Sequence, residues 1–94
     1  MRFVWDPEKS RRNLAKHKVS FETAALVFDD PFAVSVLDRV VEGEERWNTL
    51  GLAAGMVILL VVHAYRLEDG EETVRIISAR KATPAERRIY EEGL

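Results

Sequence analysis

The sequence contains no cysteine and only two histidines, His17 and His63. Disulfide bonds, thiolate zinc sites and cysteine nucleophiles are therefore excluded, and their absence suits a reducing compartment. The longest apolar run, Met56 to Val62, has seven residues. A membrane-spanning helix needs ~20, and the N-terminus lacks the apolar core of a signal peptide. These absences predict a cytoplasmic protein with no membrane partner.

Neither sign of charge dominates the sequence, whose net charge is −2, but the charges are segregated. Residues 1–18 carry six basic and two acidic side chains, and residues 75–88 carry five basic and one acidic. Residues 22–45 carry seven acids against one base, and residues 67–73 carry four acids and no base. Two basic segments that meet in the fold can bind a polyanion, although such segments are equally typical of solvated surface.

The remaining composition is that of a small globular domain. No repeat, low-complexity tract or flexible linker interrupts the 94 residues, and this length is enough for one hydrophobic core. We therefore expect a single domain over residues 1–94.

Two helices are predicted in the first third of the chain. Asp6 is a suitable N-cap and Pro7 a suitable first helical residue, since its missing N–H costs nothing there; this helix should end near His17. Ser20 can cap a second helix, which Pro31 stops. The apolar stripe of that helix consists of Phe21, Ala24, Ala25 and Phe28.

Four strands and a third helix follow. Alternating or unbroken apolar residues predict strands over Phe32–Asp38, Arg46–Leu50, Met56–Tyr65 and Thr73–Ala79, with a loop over residues 39–45 and a hairpin turn over residues 68–70. Thr83, Pro84 and Glu86 form a capping-box signal for a helix that runs to about Glu92. The predicted order is ααββββα, an α+β domain with an antiparallel four-stranded sheet and its helices packed on one face.

An ordered set of sequence phrases resembles the BrnT family of bacterial toxins. The phrases are Phe3-Val4-Trp5-Asp6-Pro7, Asn13-Leu14-Ala15-Lys16-His17, Val19-Ser20-Phe21-Glu22, Glu45-Arg46, Val61-Val62-His63, Arg75-Ile76-Ile77-Ser78-Ala79-Arg80-Lys81-Ala82-Thr83, Glu86-Arg87 and Tyr90. Two positions depart from the family pattern: Lys18 stands where a glycine is usual after the first helix, and Ala64 where a threonine is usual.

The resemblance implies a RelE-like fold, endoribonuclease activity without a metal ion or cofactor, and translation inhibition. It also implies neutralisation by a ribbon-helix-helix antitoxin of the BrnA type, through which the protein would meet operator DNA only indirectly. A non-catalytic module that binds such an antitoxin and adjusts operon repression is the alternative.

RNA cleavage of this kind needs a base, an acid and cations that stabilise the phosphorane. Arg66 and Arg80 are the first candidates for phosphate contacts, since their positions can bring them to one side of the sheet, at the ends of neighbouring strands. Surface ion pairs are the alternative for both arginines. His17 and His63 are candidates for proton transfer, with a helix cap and core packing as their alternatives.

Further basic residues complete the candidate site, and Glu45 is a candidate base. The supporting RNA-binding candidates are Lys16, Arg46, Arg75 and Lys81. Trp47 and Tyr65 can stack on a base or pack in the protein. No residue is predicted to bind a metal.

Overall fold

The computed structural model describes residues 1–93, which form three helices, one 3₁₀ helix and five strands. No helix among these residues is long and apolar enough to cross a membrane. The elements are β1 Arg2–Val4, α1 Pro7–His17, α2 Phe21–Ala25, the 3₁₀ helix Leu26–Asp29, β2 Val34–Val41, β3 Glu44–Ala53, β4 Val57–Glu68, β5 Glu71–Lys81 and α3 Pro84–Glu92.

The sheet is mixed, with the strand order β1-β5-β4-β3-β2. β1 pairs in parallel with Thr73–Arg75 of β5, and the other pairs are antiparallel. The predicted α+β class is confirmed, whereas the order ααββββα and the four-stranded antiparallel sheet are wrong. The error arises because β1 has only three residues, too few to show a strand period in the sequence.

The helix ends have the capping interactions that the sequence predicts. The Asp6 side chain accepts a hydrogen bond from the backbone N–H of Glu8 and caps α1. Thr83 and Glu86 form the predicted capping box of α3. Lys18, in the position where glycine is usual, has a left-handed φ of 62°, a conformation that costs a non-glycine residue about 1 kcal/mol.

The predicted loop over residues 39–45 is instead part of a long β-hairpin. β2 and β3 extend to a two-residue turn at Glu42 and Gly43, both with positive φ, as tight hairpin turns require. The charged residues of this hairpin obscured the strand pattern because β2 is an edge strand whose side chains are mostly exposed.

Helices cover both faces of the sheet, which corrects the expectation that they pack on one face. On one face, Phe21, Ala24 and Val27 bury apolar surface against β4 and β5 in the main core. On the other, Tyr90 of α3 packs on a smaller cluster of Leu50, Leu60 and Ala82. We call this second face the open face, because α3 covers only one end of it.

A β-bulge decides which side chains of β5 reach the open face. Val62 pairs with Ser78 and His63 with Ile76, so Ile77 is an extra residue without a partner. Ile76 and Ala79 consequently both belong to the main core although three positions separate them. Arg75 and Arg80 lie on the open face together, whereas simple alternation predicted opposite faces.

Candidate active site

Three arginines converge on one carboxylate on the open face. Glu44 Oε1 accepts hydrogen bonds from Arg46 Nε at 3.1 Å and from Arg75 Nη2. Its Oε2 accepts from Arg66 Nη2 at 3.2 Å. We call these four residues the arginine cluster. Three positive charges face one negative charge, so the cluster can attract a further anion.

The register of three neighbouring strands produces this convergence. Arg75 of β5 pairs with Ala64 of β4, and the β3–β4 register that pairs Trp47 with His63 places Arg46 opposite Ala64 from the other side. Ala64 is fully buried. Arg46 and Arg75 thus flank Ala64 on the same face of the sheet, and both donate to Glu44 Oε1.

The environment of Glu44 keeps its carboxylate ionised. Burial raises its pKa, but hydrogen bonds from Arg75 and Arg66 outweigh burial and hold the pKa below its usual value of 4.5. Glu44 is therefore a carboxylate at neutral pH, the form that can accept a proton, and its lowered pKa makes it a weaker base than an unpaired glutamate.

One hydrogen-bond donor of the arginine cluster lacks an acceptor. Arg75 Nε is buried and has no hydrogen-bond partner among the described residues. A buried donor without a partner costs about 1–3 kcal/mol, and a phosphate oxygen is the type of acceptor that arginine binds best. An anion that reached this donor would remove that cost.

Arg80 lies on the open face but far from the cluster. It donates to both carboxylate oxygens of Glu86, at 2.8 and 3.0 Å, and this hydrogen bonding lowers the pKa of Glu86 to about 2. Arg80 pairs with Leu60, and six residues of extended strand, roughly 20 Å, separate Leu60 from Arg66. The expectation that Arg66 and Arg80 hold the same phosphate is therefore wrong.

Lys81 is exposed and pairs with Leu59, a residue of the main core, so it follows the opposite face from Arg80. The three cations that the sequence suggested as one phosphate site, Arg66, Arg80 and Lys81, do not share a concavity.

His63 is enclosed in the protein interior. It has no exposed surface, its Nε2 lies 2.7 Å from Thr49 Oγ1, and the rings of Phe28 and Tyr65 contact it edge-on. Burial lowers its pKa to about 4. His63 is thus neutral and shielded from substrate at neutral pH, which fits the packing alternative.

His17 and Lys16 lie in the last turn of α1, away from the arginine cluster. Together with Lys9 and Arg12 they line a cavity of about 210 Å³ between α1 and β5. We call these four residues the α1 basic surface. Of the eight sequence-predicted site residues, only Arg46, Arg66 and Arg75 belong to the arginine cluster.

The carboxylate of the cluster is Glu44, whereas the sequence pointed to Glu45. Glu45 follows the opposite face of β3, with Trp47, and both glutamates border a cavity at the end of the β2–β3 hairpin. The available signal was side-chain alternation, since Glu44, Arg46 and Asn48 share one face of a strand that begins at Glu44. The assumed loop over residues 39–45 hid that signal.

The family model described as the ribonuclease toxin BrnT of a type II toxin–antitoxin system matches residues 5–86. The chain belongs to the BrnT family. The toxin–antitoxin relationship that the sequence resemblance implied is thereby confirmed at the level of the family. A search of curated proteins found no match.

A solved BrnT structure shares the fold. The crystal structure of the Brucella abortus ribonuclease toxin BrnT superposes with a TM-score of 0.61, covering 88% of this chain and 97% of the Brucella protein at 24% sequence identity. The likeness supports the α+β fold, in which helices pack around one sheet. The arginine cluster of this BrnT protein lies on that sheet.

Proposed function

We propose that this BrnT protein is a cytoplasmic endoribonuclease whose reaction centre is the arginine cluster. The observation that carries the proposal is an ionised carboxylate, Glu44, held among three guanidinium groups on the open face. A carboxylate base beside fixed cations is what cleavage at an RNA phosphodiester requires. Cleavage of messenger RNA would inhibit translation and growth.

In the proposed reaction, Glu44 takes the proton of a ribose 2′-hydroxyl, and the 2′-oxygen attacks the neighbouring phosphorus. The bond from phosphorus to the 5′-oxygen breaks, and the products are a 2′,3′-cyclic phosphate and a free 5′-hydroxyl. Arg66 and Arg75 stabilise the added charge on the phosphorane oxygens, because planar guanidinium groups bind two such oxygens at once.

The proton for the leaving 5′-oxygen comes from water in this proposal. Neither His17 nor His63 lies in the cluster, and a guanidinium group holds its proton too tightly to act as an efficient acid. The three guanidinium groups supply the positive charge that a metal ion supplies in other nucleases, so we expect cleavage to proceed in EDTA.

The proposed partner is a BrnA-type ribbon-helix-helix antitoxin. The open face carries an excess of positive charge around Glu44, and an acidic antitoxin segment bound there would block RNA. A chain that bound the antitoxin but left RNA intact would instead be the non-catalytic module.

The test compares Glu44→Gln with its neighbour Glu45→Gln in an RNA cleavage assay with and without EDTA. Glu44→Gln keeps the size of the side chain but removes the base, and we expect cleavage to fall 10²–10⁴-fold. Glu45→Gln changes the opposite face of the same strand and should cleave like the wild type.

Equal activity of the two variants would contradict the assignment of Glu44, and loss of wild-type cleavage in EDTA would contradict metal independence. Circular dichroism of both variants checks that the fold is kept. Failure of the wild type to cleave any RNA would reject the nuclease proposal as a whole.

A further inference from the structure

A cavity of about 200 Å³ lies on the open face between the arginine cluster and α3. Its walls are largely apolar and include Val36 of β2, Leu50 of β3, Leu60 of β4 and Ile89 of α3. Val36 and Ile89 are partly exposed, so the cavity can be reached from solvent. It is large enough for one planar heterocycle.

Asn48 and the Glu86 carboxylate, which is paired with Arg80, contribute the polar groups of the lining. Asn48 Oδ1 is buried and receives no hydrogen bond within residues 1–93. An unpaired buried acceptor costs about 1–3 kcal/mol, and the neighbouring amide nitrogen offers two donors. The cavity therefore combines apolar walls with an amide that can both accept and donate.

The position of Asn48 connects the cavity to the arginine cluster. Asn48 follows Arg46 by two residues on the same face of β3, a separation of roughly 7 Å along the strand. A nucleotide whose phosphate lies at the arginines can extend its base toward α3 and into the cavity. The apolar surface is thus continuous with the proposed reaction centre.

We propose that this cavity binds one base of the RNA substrate and that Asn48 selects adenine there. This inference rests on the proposed ribonuclease function. Leu50, Leu60 and Ile89 would contact the faces and edges of the ring. The exocyclic amino group of adenine would donate to Asn48 Oδ1, and its N7 would accept from the amide nitrogen, the bidentate pairing that asparagine makes with adenine.

The experiment measures binding rather than cleavage, so its failure is distinguishable from failure of the nuclease proposal. The probes are 2′-O-methyl oligouridines, which cannot be cleaved by 2′-hydroxyl attack, carrying one adenine or one unsubstituted purine at each position in turn. Purine lacks the exocyclic amino group but keeps the ring. Fluorescence anisotropy should show about tenfold tighter binding of adenine at one position.

Two variants test the site independently. Asn48→Ala removes the amide and should abolish the preference for adenine over purine. Val36→Trp fills the cavity from β2, where Val36 is the cross-strand partner of Asn48, and should weaken binding of either base to the level of plain oligouridine. Glu45→Gln, on the opposite face of β3, should keep the wild-type preference.

Equal binding of adenine and purine by the wild type would overturn the proposal. An unchanged preference for adenine over purine in both Asn48→Ala and Val36→Trp would also overturn it. The cavity would then take another occupant, such as a side chain of a protein partner. If the wild type prefers adenine but cleaves no RNA, the proposed base site is supported and the proposed nuclease function is rejected.

Discussion

At the scale of single residues, His63 is held by a chain of polar contacts across three strands. Ser35 Oγ lies 2.6 Å from Thr49 Oγ1, which lies 2.7 Å from His63 Nε2. These contacts link β2, β3 and β4 beneath the aromatic rings that cover His63. The neutral imidazole is therefore part of the packing of the sheet.

This packing predicts a loss of stability in mild acid. The pKa of His63 is lowered from 6.5 to about 4 by burial, so between these values the unfolded chain binds a proton that the folded protein does not. Stability is complete above pH 6.5 and falls as the pH decreases toward 4. The free energy of unfolding should fall by about 2 kcal/mol from pH 7 to pH 5 through this residue.

Urea unfolding of the wild type and His63→Gln at both pH values measures the effect. The variant is less stable at either pH, but its stability should differ less between pH 7 and pH 5, because glutamine does not titrate. Glu86 does not affect this comparison between pH 7 and pH 5. Because Arg80 lowers its pKa to about 2, its contribution to the free energy of unfolding is lost only below about pH 4.5. The same pH dependence in both proteins would refute the assignment.

At the scale of elements, an asparagine side chain continues the sheet where β1 ends. β1 pairs only with residues 73–75 of β5. Further along β5, Asn13 of α1 donates to the carbonyl oxygen of Ala79 at 2.9 Å and accepts from its N–H at 3.1 Å. Asn13 also donates to the carbonyl of Val19, so one side chain joins α1, the following loop and the sheet edge.

Asn13→Ala should lower the free energy of unfolding by about 3 kcal/mol, because it leaves buried backbone groups of Ala79 and Val19 without partners. Arg12→Ala, the adjacent exposed position of the same helix, should change it by less than about 0.5 kcal/mol. Chemical denaturation measures both. Similar losses in the two variants would contradict a specific role for the hydrogen bonds of Asn13, because alanine favours the helix at both positions.

Elements with strong local signals were predictable from the sequence, and elements that depend on partners were not. The caps of α1 and α3 and the apolar run of β4 lie within a few neighbouring residues. β1 forms a strand only because β5 lies beside it, and the charged end of β3 is extended because β2 pairs with it. Such pairing energies are tertiary and leave little trace in a short sequence window.

The candidate site was predictable in part for the same reason. Arg46, Arg66 and Arg75 were among the predicted phosphate contacts, since their residue type and strand positions indicate that role. Glu44 was missed because the start of β3 was misplaced, whereas Asn48 lay within the predicted strand Arg46–Leu50 and its cavity depends on the packing of α3. The distance between Arg80 and Arg66 was mispredicted, because it depends on the register between β4 and β5. The sequence does not reveal that register.

At the scale of the whole molecule, positive charge is concentrated on two separate surfaces. The arginine cluster occupies the open face, and the α1 basic surface borders the edge of β5. We propose that a long RNA contacts both, whereas a dinucleotide reaches only the cluster. Lys16 would then bind RNA without taking part in the reaction.

Lys16→Gln should therefore weaken binding of a long single-stranded RNA and reduce the slope of log affinity against log salt by roughly 0.7. Its kcat/KM on a dinucleotide should be unchanged. The matched control is Arg11→Gln, because Arg11 is already paired with Glu8 on the same helix and should contribute less to the slope. Equal effects of the two variants would contradict a specific contact at Lys16.

The extra residue at Ile77 can be removed without changing which residues of β5 pair with β4. Side chains before and after it keep their orientation under any substitution that preserves the strand. Deleting Ile77 would leave Ile76 opposite His63 and Ser78 opposite Val62, so β5 would alternate regularly and Ser78 through Lys81 would keep their faces. We therefore expect homologous chains to vary freely in residue identity at Ile77, and some to lack this residue, with Arg75 and Arg80 still on the same face of the sheet.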